Sequence, residues 1–338
     1  MKKYFFFVLV LFIWTKGYGR ETKFVANPGL GICKEDWIKN VQNNFSVRFD
    51  REYLDVNGNV IPSPNPRPFC SGSLARVGPE QKLKIISASH CASEKNREAP
   101  NGQFYFPEGD VPRGAPPNAR SARIVARIAG KDPAIPITSF YGPKLISDPR
   151  RTLETWRKND FVLMDSNAVD LESIVAGKKV PSVCDSTMTK NNIEKAAVVG
   201  FGVTNTNSPS LTPLCGEQKI NSINNNIIAI APYTSGTSGA CPGDSGGGLW
   251  VKPKGSESAC LTGVVSGPRA TGHAAPLQTG TAPPAPPTEI EQKEAAFRSC
   301  TTPGVEAIFA SVYQTDLTPY IQSDKPVSEI IPNAESAF

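Results

Sequence analysis

Ser245 sits in the stretch Cys241-Pro242-Gly243-Asp244-Ser245-Gly246-Gly247-Gly248. Its small neighbours let the hydroxyl and nearby backbone N–H groups face a substrate together. A serine hydroxyl is a poor nucleophile until a base takes its proton, so the stretch demands a histidine elsewhere. The chain has two, His90 and His273. His90 lies in Ser87-Ala88-Ser89-His90-Cys91, just after an apolar run, and Asp160 opens the later run Asp160-Phe161-Val162-Leu163-Met164. Histidine, then aspartate, then serine is one chain order that supports acyl transfer. Asp165, at the far end of that run, is a rival carboxylate.

Taken singly, each residue has a plainer role. His90 could pack beside a disulfide, Asp160 could cap a turn, and Ser245 could belong to an ordinary glycine-rich loop. Their joint occurrence makes the catalytic reading stronger. A different chemistry also fits locally, since Gly243-Asp244-Ser245-Gly246-Gly247 matches the G-x-S-x-G elbow of α/β-hydrolases. That fold needs its histidine after the serine. Only His273 qualifies, within a stretch rich in glycine, alanine and proline, and the required alternation of strands and helices is missing. Chain order excludes the elbow.

The elements that must position these groups are short. Apolar runs recur at Phe45–Phe49, Leu83–Ile86, Ile124–Ile128, Phe161–Met164, Ala196–Val203, Ile227–Ile230, Leu261–Val265 and Val305–Val312. Most are rich in β-branched or aromatic residues and bounded by Gly, Pro, Asn or Ser, which predicts strands between turns. No long segment has sustained helical periodicity, so barrels or a sandwich are expected, with one short helix over Tyr313–Ser323. Two stretches read as insertions: Ala92–Pro117, and 268–299, which contains Pro283-Pro284-Ala285-Pro286-Pro287.

The first 19 residues combine Lys2-Lys3, an apolar run from Tyr4 to Trp14 and a Gly17-Tyr18-Gly19 end, the pattern of a cleaved secretory signal. The run is too short for a membrane anchor, which needs ~20 apolar residues. Losing Lys2, Lys3 and Lys16 lowers the formal charge from +5 to +2, too weak a bias to argue for nucleic acid or an anionic membrane. Eight cysteines in an exported chain suggest disulfides, and no spacing suggests zinc. Neither metal nor cofactor is expected.

With His90 upstream, these stretches resemble the trypsin/chymotrypsin family of serine proteases. Cys70-Ser71-Gly72-Ser73-Leu74 is similar to the family's Cys-Gly-Gly-Ser-Leu strand, and Ser87-Ala88-Ser89-His90-Cys91 to its Thr-Ala-Ala-His-Cys. Asn159-Asp160-Phe161-Val162-Leu163 resembles Asn-Asp-Ile-Ala-Leu, and Val199-Gly200-Phe201-Gly202 resembles the Gly-Trp-Gly turn. Gly263-Val264-Val265-Ser266 and Cys300-Thr301-Thr302-Pro303-Gly304-Val305 resemble the segments flanking the specificity pocket.

The resemblance implies an all-β fold of two packed six-stranded antiparallel barrels with a short C-terminal helix. It implies a secreted endopeptidase acting on polypeptides: Ser245 attacks, His90 shuttles the proton, and Asp160 orients the imidazole. Gly243 and Ser245 would supply the oxyanion-hole N–H groups, and Gly239, Ser266, Pro268 and Gly304 the specificity pocket. It also implies four disulfides: Cys70–Cys91, Cys241–Cys300, Cys215–Cys260 and Cys33–Cys184. The expected organisation is a signal over 1–19, an N-terminal segment and candidate propeptide over 20–44, the protease domain over 45–323, and a tail over 324–338.

Two departures qualify the resemblance. The family's mature chain usually starts Ile-Val-Gly-Gly, and that terminus pairs with the aspartate before the serine, here Asp244; no such motif occurs between Gly19 and Cys70. A buried carboxylate without a partner is costly, so Asp244 is expected to find one. Gly239 stands where trypsin-like members carry the pocket carboxylate, which favours an apolar or uncharged residue before the cut unless Glu306 points into the pocket. The rival function is a catalytically silent homologue that binds proteins through the same cleft.

Overall fold

The computed structural model describes residues 31–62, 68–92, 103–105, 115–131, 134–142, 159–203, 210–224, 227–230, 240–241, 243–270 and 305–313, with 317 and 320. The segments read as signal and tail lie outside these, as do most of both insertions. Among the described residues no helix is long and apolar enough to cross a membrane.

Two antiparallel sheets account for almost all the structure. The first carries β1 (Ser46–Leu54), β2 (Val60–Ile61), β3 (Cys70–Val77), β4 (Lys82–Ser87), β5 (Gln103–Tyr105), β6 (Ser121–Ile128), β7 (Ile135–Pro136), β8 (Ser139–Tyr141) and β9 (Val162–Asp165). Its main path runs β5-β6-β1-β3-β4-β9-β8, with β2 paired to β1 and β7 to β6. The second carries β10 (Ile193–Gly200), β11 (Leu214–Gln218), β12 (Ile220–Asn224), β13 (Ile227–Ile230), β14 (Gly248–Pro253), β15 (Cys260–Ala270) and β16 (Val305–Ser311). Its order is β11-β10-β14-β15-β16-β13-β12. The two curled sheets are the double-barrel architecture expected, with nine and seven described strands rather than six and six.

Each sheet encloses its own apolar cluster, as a curled sheet must if one face is to leave water. Phe45, Val47, Phe49, Leu74, Ile124 and Met164 fill the first, and Val198, Ile228, Leu249, Val251 and Phe309 the second. A third cluster lies between the sheets. Ala75, Val77, Ile86, Phe161 and Leu163 of the first meet Ala197, Val199, Trp250, Leu261 and Val264 of the second. That apolar contact fixes how the two halves sit, and the site forms along it.

The segment before β1 is part of this core. Helix α1 (Asp36–Asn44) buries Ile38 and Val41 completely. A helix of nine residues is marginal alone, so packing and cross-links must hold it. Lys195 pairs with Glu35 at 2.7 Å, and a disulfide joins Cys33 to Cys215 on β11. A second short helix, α2 (Leu171–Ile174), is capped by Asp170, whose side chain accepts from the Glu172 N–H at 3.0 Å. Leu317 and Tyr320 are helical, in agreement with the expected C-terminal helix, whose other residues are mostly outside the described set.

The disulfides correct two expected pairings. Cys70–Cys91 forms as expected, but Cys33 joins Cys215 rather than Cys184, and Cys184 joins Cys260. The cause is local. Val183 bridges Leu261 and the Cys184 N–H donates to the Leu261 carbonyl at 2.8 Å, so Cys184 is already laid beside the start of β15. Cys215 on β11 then faces the N-terminal segment. Cys241 is also disulfide-bonded, and Cys300 lies outside the described residues.

Candidate active site

Strand pairing brings His90 and Asp160 together. β4 and β9 are antiparallel with Ser87 opposite Val162, so the chain leaving β4 and the chain entering β9 run side by side. His90 lies three residues past that pair, in a tight turn over Ser89–Cys91, and Asp160 two residues before it. The Cys70–Cys91 disulfide staples the turn to β3.

Asp160 is fully shielded from solvent, and three donors converge on it. His90 Nδ1 lies 2.7 Å from its Oδ2, the His90 backbone N–H donates to Oδ1 at 2.9 Å, and the Ser266 hydroxyl donates to Oδ2 at 2.7 Å. A buried carboxylate that accepts from the ring holds the imidazole with its Nδ1 side inward, which leaves Nε2 for chemistry. The His90 side chain keeps 26 % exposure, enough to meet a substrate.

Ser245 comes from the other sheet, in the turn that enters β14. Its carbonyl accepts from the Ser71 N–H at 2.8 Å, and the Cys91 sulfur lies 3.5 Å from the same oxygen. Gly246 N–H donates to Val265 O at 2.8 Å, beside Ser266. The serine turn is thus fastened to both sides of the His90–Asp160 pair. Glycine is needed in it: Gly243 and Gly246 have φ of +93° and +78°, and a Cβ on Gly246 would stand 2.7 Å from the Ala88 N atom.

Asp244 is also buried, and the Gly202 and Cys241 N–H groups donate to it at 2.7 and 2.9 Å. Burial pushes its carboxyl up to about 7, against the two amides that lower it. Its partners are therefore backbone amides, and no ion pair to it occurs among the described residues.

Asp165 forms an ion pair with Lys84 at the far end of β9, which leaves Asp160 as the carboxylate on His90. Ser266, expected at the specificity pocket, turns its hydroxyl onto Asp160; the apolar run before it gave no signal of that bond. Pro268 pairs with Ala307 across β15 and β16. Gly239, Gly304 and His273 lie outside the described residues. Cys70, His90 and Cys91 place ligand-type atoms within 4.8 Å of one another, but both sulfurs are spent in a disulfide, so this is no metal site.

The family model of trypsin matches residues 126–282, a span that contains Asp160 and Ser245 but begins after His90. The hydrogen bonds from His90 to Asp160 tie the unmatched part of the first sheet to the matched one. No curated protein matches the chain.

Proposed function

The chain belongs to the trypsin/chymotrypsin-like serine protease family, and from that premise we propose that it is an active, secreted endopeptidase working through His90, Asp160 and Ser245. The observation that carries this reading is the buried Asp160 carboxylate, 2.7 Å from His90 Nδ1 and steadied by Ser266.

In the proposed reaction, His90 Nε2 takes the Ser245 proton as Oγ bonds to the scissile carbonyl carbon. The oxygen that becomes negative is received by the N–H groups of Gly243 and Ser245. The imidazolium, stabilised by Asp160, gives its proton to the leaving nitrogen as the C–N bond breaks. Water, deprotonated by the same imidazole, then splits the acyl-enzyme and frees Ser245. This is the general mechanism of the family. No cofactor or metal takes part.

The signal-like first 19 residues and the disulfides support export. With Gly239 at the position of the pocket carboxylate, an apolar or uncharged residue is proposed before the cut. A peptide-library cleavage profile tests that; a strong preference for Arg or Lys would transfer recognition to Glu306.

The function itself is tested with a fluorophosphonate probe on the secreted protein. Labelling lost in Ser245→Ala is expected. A folded wild-type chain that takes no label would sink the peptidase reading and leave the protein-binding homologue.

A further inference from the structure

Ser71 is fully buried on β3, in the first sheet, yet most of its hydrogen bonds reach into the second. Its hydroxyl donates to the Gly243 carbonyl at 2.7 Å and accepts from the Phe201 N–H at 2.8 Å. Its own N–H donates to the Ser245 carbonyl at 2.8 Å, and its carbonyl accepts from Ser87 Oγ at 2.7 Å. One small residue thereby grips both ends of the Gly243–Ser245 turn and the chain leaving β10.

Asp244 joins the same two loops from within, through the Gly202 and Cys241 N–H groups. No ion pair reinforces it among the described residues. In the strand that this segment resembles, Cys-Gly-Gly-Ser-Leu, the residue matching Ser71 is glycine, so the hydroxyl is an addition in this chain.

Oxyanion donors work only when aimed at the place where charge develops, within hydrogen-bond distance of it. A turn free to rotate would lose that aim at little cost in stability. We propose that Ser71 is a positioning residue for the oxyanion turn: its hydroxyl, reaching across the sheet interface, holds the Gly243–Asp244 peptide, which lies between the two peptides that present the Gly243 and Ser245 N–H groups and so limits how they can rotate. This rests on the peptidase reading and deepens it. The turn of the second sheet is shaped by a side chain of the first, so correct docking of the halves and readiness of the nucleophile are one event.

The test uses the full secreted chain with Ser71→Ala and, as a second variant, Ser71→Gly. For each, kcat and KM on a peptide substrate, the rate of fluorophosphonate labelling and the urea midpoint are measured. Loss of a whole oxyanion donor costs ~10²–10³ in rate, so misaiming by a lost tether should cost about tenfold. The expected result is a kcat and labelling rate lowered about tenfold with KM changed less than twofold. That split in every variant that folds supports the proposal. Wild-type kcat and labelling in a folded variant, even with a lower urea midpoint, would reduce Ser71 to a structural role and overturn it. A wild-type chain that takes no label fails the peptidase reading, and this inference falls with it.

Discussion

Asp160 lies beside His90 and Asp244 within the serine turn, and both are fully shielded from solvent, yet their surroundings differ in kind. Asp160 receives a ring nitrogen and a hydroxyl as well as one amide. Among the described residues, Asp244 receives backbone amides alone. Side-chain donors couple a carboxylate to groups that can move a proton. Backbone donors couple it to the path of the chain. On the proposed function the first aspartate belongs to the chemistry and the second to the architecture that holds it, and changes at the two should fail differently.

The sharpest way to break the contrast is Asp160→Asn. An amide in place of the carboxylate offers an N–H toward the ring and selects the wrong tautomer. We expect kcat to fall about 10⁴-fold, the scale found for such triads, with stability nearly unchanged. Steady-state kinetics beside a urea titration checks this; a loss below tenfold would separate Asp160 from catalysis.

Asp244 should act through stability and pH. Its folded-state carboxyl, raised by burial from 3.8 to about 7, keeps its proton where the unfolded chain has lost it. Stability attributable to it therefore falls as pH rises from about 4 to about 7, by up to about 4 kcal/mol, and levels off above. Unfolding free energies from pH 4 to pH 8 should show that slope in the wild type and lose it in Asp244→Asn. Equal slopes in both would mean the carboxylate is ionised throughout.

The staple behind the Asp244 side gives a smaller effect. Cys33→Ser with Cys215→Ser removes a cross-link between residues 182 apart in sequence and should cost ~2–4 kcal/mol. Thermal unfolding would reveal it, and a fluorophosphonate labelling rate at the wild-type level would keep the effect architectural. Ser266→Ala should be the mildest. Removing one donor to a buried carboxylate costs ~1.5–3 kcal/mol of folding stability, so the unfolding midpoint should fall accordingly while kcat/KM drops less than in Asp160→Asn. An unchanged kcat/KM would remove Ser266 from the Asp160 network.

Much of this was legible in the primary structure because the signals are local. The apolar run Leu83–Ile86 became β4 and Phe161–Met164 most of β9, so the histidine and aspartate beside them stood out. Strands without such runs were missed. β11, β12 and β14 are mixed in composition, and their partners across the sheet supply the burial; β3 is as mixed and was legible only through its resemblance to the Cys-Gly-Gly-Ser-Leu strand. α1 was missed because only Ile38 and Val41 mark its buried face. The resemblance favoured Asp160 over Asp165, and the ion pair that occupies Asp165 comes from Lys84, a residue on another strand.

The residues alone pointed to the chemistry proposed: a candidate nucleophile in a glycine-rich turn, an upstream imidazole, a carboxylate between them in the chain, and short strands to carry them. Those follow from side-chain type and nearest neighbours. Tertiary structure alone decided which cysteines join, which donors reach Asp160, and that Ser71 grips a turn in the opposite sheet. These depend on which distant strands dock, and apolar burial between the sheets sets that docking without leaving a mark at any one position.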